Sequence, residues 1–394
     1  MRVLFLSALF PWPLASGGHV RAYNLLKNLG REHDITLFSY IRSDKERDYL
    51  SKISSFCRNT KLFQRGRVWQ PKYFIRSMAS SYPLLLASYA LPEVTEALSR
   101  ELRKGYDIVH CEPFYVASAV PSDIRQKLII TEHNIEYLLY RAYAGKYLFL
   151  PPVSAVLLGD AYKMKRWEER IWRMAHTIVC VSPEDRAYIR GKVTGTDIAL
   201  VPNGVDCTYF SMEHKETDPK NPRFLFVGNF QWFPNTDACD ALVTTVWPHL
   251  KRSFPGAVLR IVGPNAPRRL VRKAEKPGIT MVGWVPDIRT EYRYADILVA
   301  PLSIGGGSKY KILEAMASGL PVVTSAIGAA GLDVRDRGEL LLADTPASYV
   351  RQVDALLKDT TLRRTIVASA RDRVERSFDW KVIARELSSV WEAS

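Results

Sequence analysis

The segment from Ile297 to Thr324, ILVAPLSIGGGSKYKILEAMASGLPVVT, restricts the fold of this chain more than any other. It reads as a buried strand (ILVAPL), a glycine turn (Gly305, Gly306, Gly307), a helix from Ser308 to Ser318 and a second buried strand (PVVTS). Glycines between a strand and a helix let the backbone come close to a ligand. The unpaired N–H groups of the first helical turn and the helix dipole favour an anion there, a phosphate above all. Lys311 and Glu314 are three residues apart on that helix and share a face. Lys311 is a candidate partner for phosphate or for Glu314, and Glu314 suits the hydroxyls of a sugar diol. A strand–glycine–helix turn also occurs in ordinary βαβ units, so the segment by itself specifies a fold class and leaves the activity open.

The same alternation runs along the whole chain. A first strand, Val3 to Leu9, leads through a proline-bounded loop to Gly17 and Gly18. An amphipathic helix follows, with Val20, Leu25, Leu26 and Leu29 facing inward. A Gly-Gly pair beyond the first strand lies where open α/β sheets bind ligands, and Arg21 follows within reach of a phosphate, or as an ordinary surface arginine. Further strands are read at 35–41, 106–112, 127–134 and 177–182, with a charged amphipathic helix over 160–175. His133 stands just past the strand at 127–134, placed either to face a ligand or as a structural histidine. The Gly-, Pro- and Asn-rich stretch from Gly191 to Asp206 interrupts the pattern. A second set of strands begins at 223–229 and continues at 258–263 and 279–285. The expected organisation is α/β: two Rossmann-like, doubly wound parallel-sheet domains facing a cleft, spanning 1–195 and 196–376, with a last helix over 377–394.

Charge narrows the partners. The formal net charge is +14, and residues 1–195 hold 29 Lys+Arg against 18 Asp+Glu. No acid occurs between Asp48 and Glu93, a stretch that carries Lys52, Arg58, Lys61, Arg65, Arg67, Lys72 and Arg76 among eight aromatic residues. Basic and aromatic residues together suit an anionic membrane surface, so residues 49–92 are a candidate peripheral contact; a solvated basic face over an ordinary core is the alternative. Nucleic acid is not expected, since no recognition motif accompanies the charge. The five scattered cysteines lack metal-ligand spacing and no apolar run is long enough to span a bilayer. The expectation is a cytoplasmic protein, peripheral at most on the inner face of the plasma membrane, with no metal site.

Taken together, the early Gly-Gly, T-E-H-N at 131–134, V-P-N-G-V-D at 201–206, F-V-G at 226–228 and the segment from Pro301 to Val323 resemble the retaining GT-B glycosyltransferases of the family-4 type, closest to bacterial exopolysaccharide and glycolipid sugar transferases. The resemblance covers essentially the whole chain. It implies a metal-independent transfer from a nucleotide-diphosphate sugar, UDP favoured and GDP next, to a lipid-linked, polysaccharide-precursor or small-molecule acceptor, with no cofactor. It also implies roles by position. Glu314 would hold the donor ribose. Gly305, Gly306, Gly307 and Ser308 would lie over sugar and diphosphate, with Gly17 and Gly18 approaching the diphosphate. His133 would contact the transferred sugar, and Trp284 and Val285 the base. Gly228, Asn229 and Asn235 belong to the turn that normally supports the diphosphate.

Three positions depart from the family pattern. The first Glu of the Glu–seven residues–Glu signature is Gly306. The usual Arg after the F-V-G glycine is Asn229, and the usual Lys six residues on is Asn235. Lys309, Lys311 and Arg21 are the substitutes on offer, Lys309 first because it is expected in the first helical turn. Two other readings keep the fold: a nucleotide-sugar epimerase, and a binding protein whose donor site has decayed.

Overall fold

A computed structural model describes residues 1–145, 149–212, 217–304 and 309–394. The chain forms two compact units. The first comprises Met1–Pro202 together with Ala384–Ser394, and the second comprises Asn203–Ile383.

The first unit holds a seven-stranded parallel sheet of β1 (Arg2–Ser7), β2 (Asp34–Ile41), β3 (Asn59–Gln64), β4 (Ile108–Glu112), β5 (Lys127–Glu132), β6 (Thr177–Cys180) and β7 (Asp197–Leu200), in the order β3-β2-β1-β4-β5-β6-β7. Its central strands are buried along almost their whole length, which suits their largely apolar sequences and leaves His110, Glu112, Thr131 and Glu132 as buried polar residues. Strand β7 lies inside the stretch read as an interruption between domains. Its pairing with β6 carries the first unit to Pro202, seven residues beyond the expected boundary. The helix Trp380–Ala393 returns to this sheet, where its Trp391 ring lies 5.5 Å from that of His110 and 5.2 Å from that of His33.

The second unit holds a six-stranded parallel sheet of β8 (Arg223–Val227), β9 (Val258–Val262), β10 (Ile279–Gly283), β11 (Ile297–Ala300), β12 (Val322–Thr324) and β13 (Leu341–Leu342), in the order β10-β9-β8-β11-β12-β13. Phe224, Phe226, Leu259, Ile261, Leu298 and Val323 form the middle of its core.

In each sheet the winding direction reverses beside the first strand, between β1 and β4 in one and between β8 and β11 in the other. Connections on either side of such a point leave in opposite directions. A crevice therefore opens at the carboxyl ends of the strands, where side chains and helix N-termini are free to meet a ligand.

Candidate functional site

The second switch point brings together Gly228, Asn229, Asn235, Lys311 and Glu314 of the expected donor residues. Strand β8 ends at Val227, and Gly228 and Asn229 carry the chain over the sheet edge toward the helix Phe233–Ala241. Gly228 is required by its neighbours: a Cβ there would stand 2.9 Å from Cγ of Asn235. Asn235 Nδ2 donates to the carbonyl of Asn229 at 2.9 Å. Asn229 Oδ1 accepts from the Gln231 amide at 3.0 Å and from Asn265 Nδ2 at 3.2 Å. The two asparagines thus organise this turn, and the positive charge that they lack comes from elsewhere.

It comes from Lys311. The helix runs Tyr310–Ala317, with Lys309 at its N-cap rather than in its first turn. Lys311 is buried, and its Nζ donates to Asn235 Oδ1 at 2.7 Å and lies 5.5 Å from the centroid of the Phe226 ring. Burial, reinforced by the charge of Lys309, pulls the Lys311 ammonium down to about 8. One turn further on, Glu314 Oε2 accepts from the Tyr292 hydroxyl at 2.7 Å, while Oε1 has no partner among the described residues. Burial pushes the Glu314 carboxyl up to about 7, against the opposing effects of the Tyr292 hydrogen bond and of Lys311. An ammonium and a carboxylate therefore share one helix face, each held away from its preferred charge. The helix N-cap carries no side-chain hydrogen bond, and the Ile312 and Leu313 amides bond back to the Lys309 carbonyl. Trp284, beyond β10, is 69 % exposed, and Val285 beside it packs on the core. Gly305, Gly306, Gly307 and Ser308 lie outside the described residues.

In the first unit, Gly17 and Gly18 open the helix Gly17–Leu29, and the N-cap Ser16 makes no side-chain cap bond. A Cβ on Gly18 would touch only Leu9, at an ordinary 3.4 Å, so packing alone does not demand a glycine. Arg21 corrects the sequence reading. It is 1 % exposed, its Nε donates to Glu112 Oε1 at 3.0 Å, and its terminal nitrogens donate to the carbonyls of Pro202 at 2.9 Å and Val201 at 3.2 Å. A guanidinium committed in this way is a structural cation, unavailable to a phosphate. His133 is half-buried beyond β5, and its Nε2 meets the same Glu112 carboxylate. Glu112 escaped the sequence reading, although His110 and Glu112, two apart on one strand, already marked a polar face in an apolar strand. Tyr292 left no comparable signal.

The basic stretch also divides. Arg65 is buried, bonded to Ser88 Oγ at 2.7 Å with its guanidinium carbon 4.1 Å from the centroid of the Tyr89 ring, and Lys61 pairs with buried Glu101 at 2.6 Å. Both are structural. The helix Pro71–Met78 instead exposes Lys72, Phe74, Ile75 and Met78, next to Trp69 at 76 % exposure. A longer helix packs beside it, with Lys163 Nζ donating to the Ser77 carbonyl and Trp167 stacked on Tyr82 at 4.5 Å. That helix runs Pro151–Met174 rather than 160–175, and its added turns expose Val153 and Val156, with Phe149 just before. No helix among the described residues is long and apolar enough to cross a membrane.

The model described as Glycosyltransferase Family 4 matches residues 15–209, and that described as Glycosyl transferases group 1 matches 221–359. The chain belongs to the family-4 type of GT-B glycosyltransferases. Among curated proteins, the phosphatidyl-myo-inositol mannosyltransferase of Mycobacterium tuberculosis is 30 % identical over 210 residues, which is 50 % of this chain and 54 % of the relative. The chain thus spans about half the length of the curated relatives it matches. Among solved structures, a sucrose-phosphate synthase from Thermosynechococcus elongatus superposes with a TM-score of 0.75 at 18 % identity, covering 100 % of this chain and 98 % of that one. HepE of Anabaena, solved in complex with UDP-glucose, gives a TM-score of 0.65 at 16 % identity, with both chains fully covered. These likenesses establish the GT-B fold of the chain.

Proposed function

We propose that this GT-B protein transfers a sugar from a nucleotide-diphosphate sugar to an acceptor hydroxyl, with retention of configuration and without a metal ion. The observation that carries the reading is the Asn235–Lys311–Glu314 arrangement at the β8/β11 switch point. Glu314, with one carboxylate oxygen unengaged, accepts from the ribose hydroxyls. Lys311, with Lys309 at the helix start, takes the diphosphate, and the amides of Gly305–Gly307 and Ser308 are expected from the sequence to assist. Trp284 offers a face to the base, with Val285 supplying backbone contacts, and Gly17 and Gly18 let backbone approach the diphosphate. His133 contacts the transferred sugar. Negative charge grows on the departing diphosphate, so fixed cations and amides supply the largest stabilisation. Retention is expected through front-face attack, a donor phosphate oxygen taking the acceptor proton. The UDP and UDP-glucose complexes of HepE support UDP as the base-bearing group, with GDP next. The name of the mycobacterial relatives supports a lipid-borne acceptor.

Titration calorimetry with UDP tests the donor site. A diphosphate restores the charge of Lys311, so binding at pH 8 should take up protons. Hydroxyl donors favour ionised Glu314, so binding near pH 7 should release protons. Binding with no proton exchange at either pH would remove both residues from the site. Turnover of UDP-sugars in EDTA, with the product anomer read by NMR, tests the chemistry. An epimerase would alter the donor with no acceptor present.

The proposal includes peripheral contact with the anionic inner face of the plasma membrane, through the apolar and basic surface shared by the helices Pro71–Met78 and Pro151–Met174. Replacing Ile75 and Met78 together by glutamate should weaken binding to phosphatidylglycerol vesicles at least tenfold, since each buried apolar side chain is worth about 1.5–3 kcal/mol. Unchanged flotation with vesicles would return this surface to solvent.

A further inference from the structure

The polar cluster beneath His133 specifies more than a fold. Trp391 Nε1, which can only donate, bonds Nδ1 of His110 at 3.2 Å. Burial keeps His110 neutral, so its single N–H is on Nε2. That nitrogen faces Glu112 Oε2 at 3.2 Å, with Thr131 Oγ1 at 3.3 Å. Burial pushes Glu112 up, but the Arg21 guanidinium, followed by His133 and His110, outweighs it and holds the carboxyl well below the usual range. Surrounded by donors and ionised, Glu112 can only accept. The Nε2 of His133, in contact with Oε1, therefore carries a proton. The carboxylate cannot swing away, because Arg21 is itself anchored on the carbonyls of Val201 and Pro202. Nδ1 of His133 has no hydrogen-bond partner among the described residues, and the side chain is 24 % exposed.

We infer that Glu112 is the positioning residue for His133: it fixes the Nε2–H tautomer and leaves Nδ1 as the only ring acceptor, presented to a hydroxyl of the bound sugar. The sugar in this statement rests on the sugar-transfer reading; the tautomer rests on the first unit alone.

The test is ¹⁵N NMR of histidine-labelled protein at pH 8.5, combined with kinetics. The wild type should show His133 as the Nε2–H tautomer; an Nδ1–H tautomer overturns the inference. The double variant Arg21→Met/Glu112→Gln removes both members of the buried ion pair, a change that proteins often tolerate. It should fold, populate both tautomers of His133, and lose about 10–100-fold in kcat while its Kd for UDP stays within twofold. A folded double variant with the Nε2–H tautomer and kcat intact would make Glu112 merely structural and overturn the inference. If the double variant does not fold, the wild-type tautomer decides. An Nε2–H tautomer in a wild-type protein that transfers no sugar would support the positioning and overturn the sugar-transfer reading.

Discussion

Glu314→Ala is expected to lower kcat/KM for the nucleotide-sugar by about 10²–10³-fold, with KM for the donor raised and kcat reduced. The carboxylate offers a free oxygen beside one already bonded to Tyr292. Two hydrogen bonds from a diol to a charged acceptor are worth about 1.5–3 kcal/mol each, and the lower end of that range already gives a hundredfold. The fold should not suffer. Burial holds this acid up at about 7, so the protein above that pH carries a carboxylate that would be easier to ionise in the unfolded chain. Folded-state affinity for the proton exceeds that of the unfolded state, and the penalty grows as pH rises from about 4.5 to about 7. The alanine variant should therefore melt no lower than wild type at pH 8, or slightly higher. Kinetics within threefold of wild type would remove Glu314 from the donor site. A collapse in melting temperature would show that its role is in the core.

Arg21→Met is expected to have the opposite profile. It strands the Glu112 carboxylate in a fully buried position, and breaking such a pair by removing one partner costs about 3–5 kcal/mol. For a unit of this size that is a fall in Tm of roughly 10 °C. The sign of the pH dependence follows from the depressed Glu112 carboxyl. The stabilisation is complete above about 4.5 and is lost as pH falls through the lowered value in the folded protein. Wild type and Arg21→Met should differ most near neutrality and converge in acid. Adding Glu112→Gln should recover most of the loss. A surface arginine, as the sequence allowed, would change Tm by less than a degree or two.

The error over Arg21 shows where sequence legibility ends. Its partner Glu112 is 91 residues away, and the carbonyls it holds are 180 and 181 residues away. Nothing local distinguishes such an arginine from a solvated one. The Lys311–Glu314 pair was legible because both side chains lie on one helix, where spacing alone decides whether they share a face. That Lys311 rather than Lys309 meets Asn235 depended on how the helix sits against β8, which spacing does not encode.

The sheets followed the same division. Central strands were legible because burial on both faces leaves runs that are mostly apolar. Strand β3, NTKLFQ, sits at the sheet edge and alternates polar residues, so it was absorbed into the basic stretch. Strands β7 and β13 are four and two residues long, too short for any periodicity. The first turns of the helix Pro151–Met174 were missed for a different reason. Val153 and Val156 are exposed, so an inward-facing stripe does not form there.

The first unit is discontinuous, and this has a consequence for the order in which the molecule can be made. Trp391 is fully buried against His110 and His33 and belongs to the same compact unit as the first strand. A ribosome delivers the N-terminal sheet long before it delivers that indole, with the whole second unit synthesised in between. During those seconds the place of that indole against His110 and His33 stays open, although N-terminal domains ordinarily finish folding first. Here the unit that begins first is completed only after the second has been made, once Ala384–Ser394 are in place.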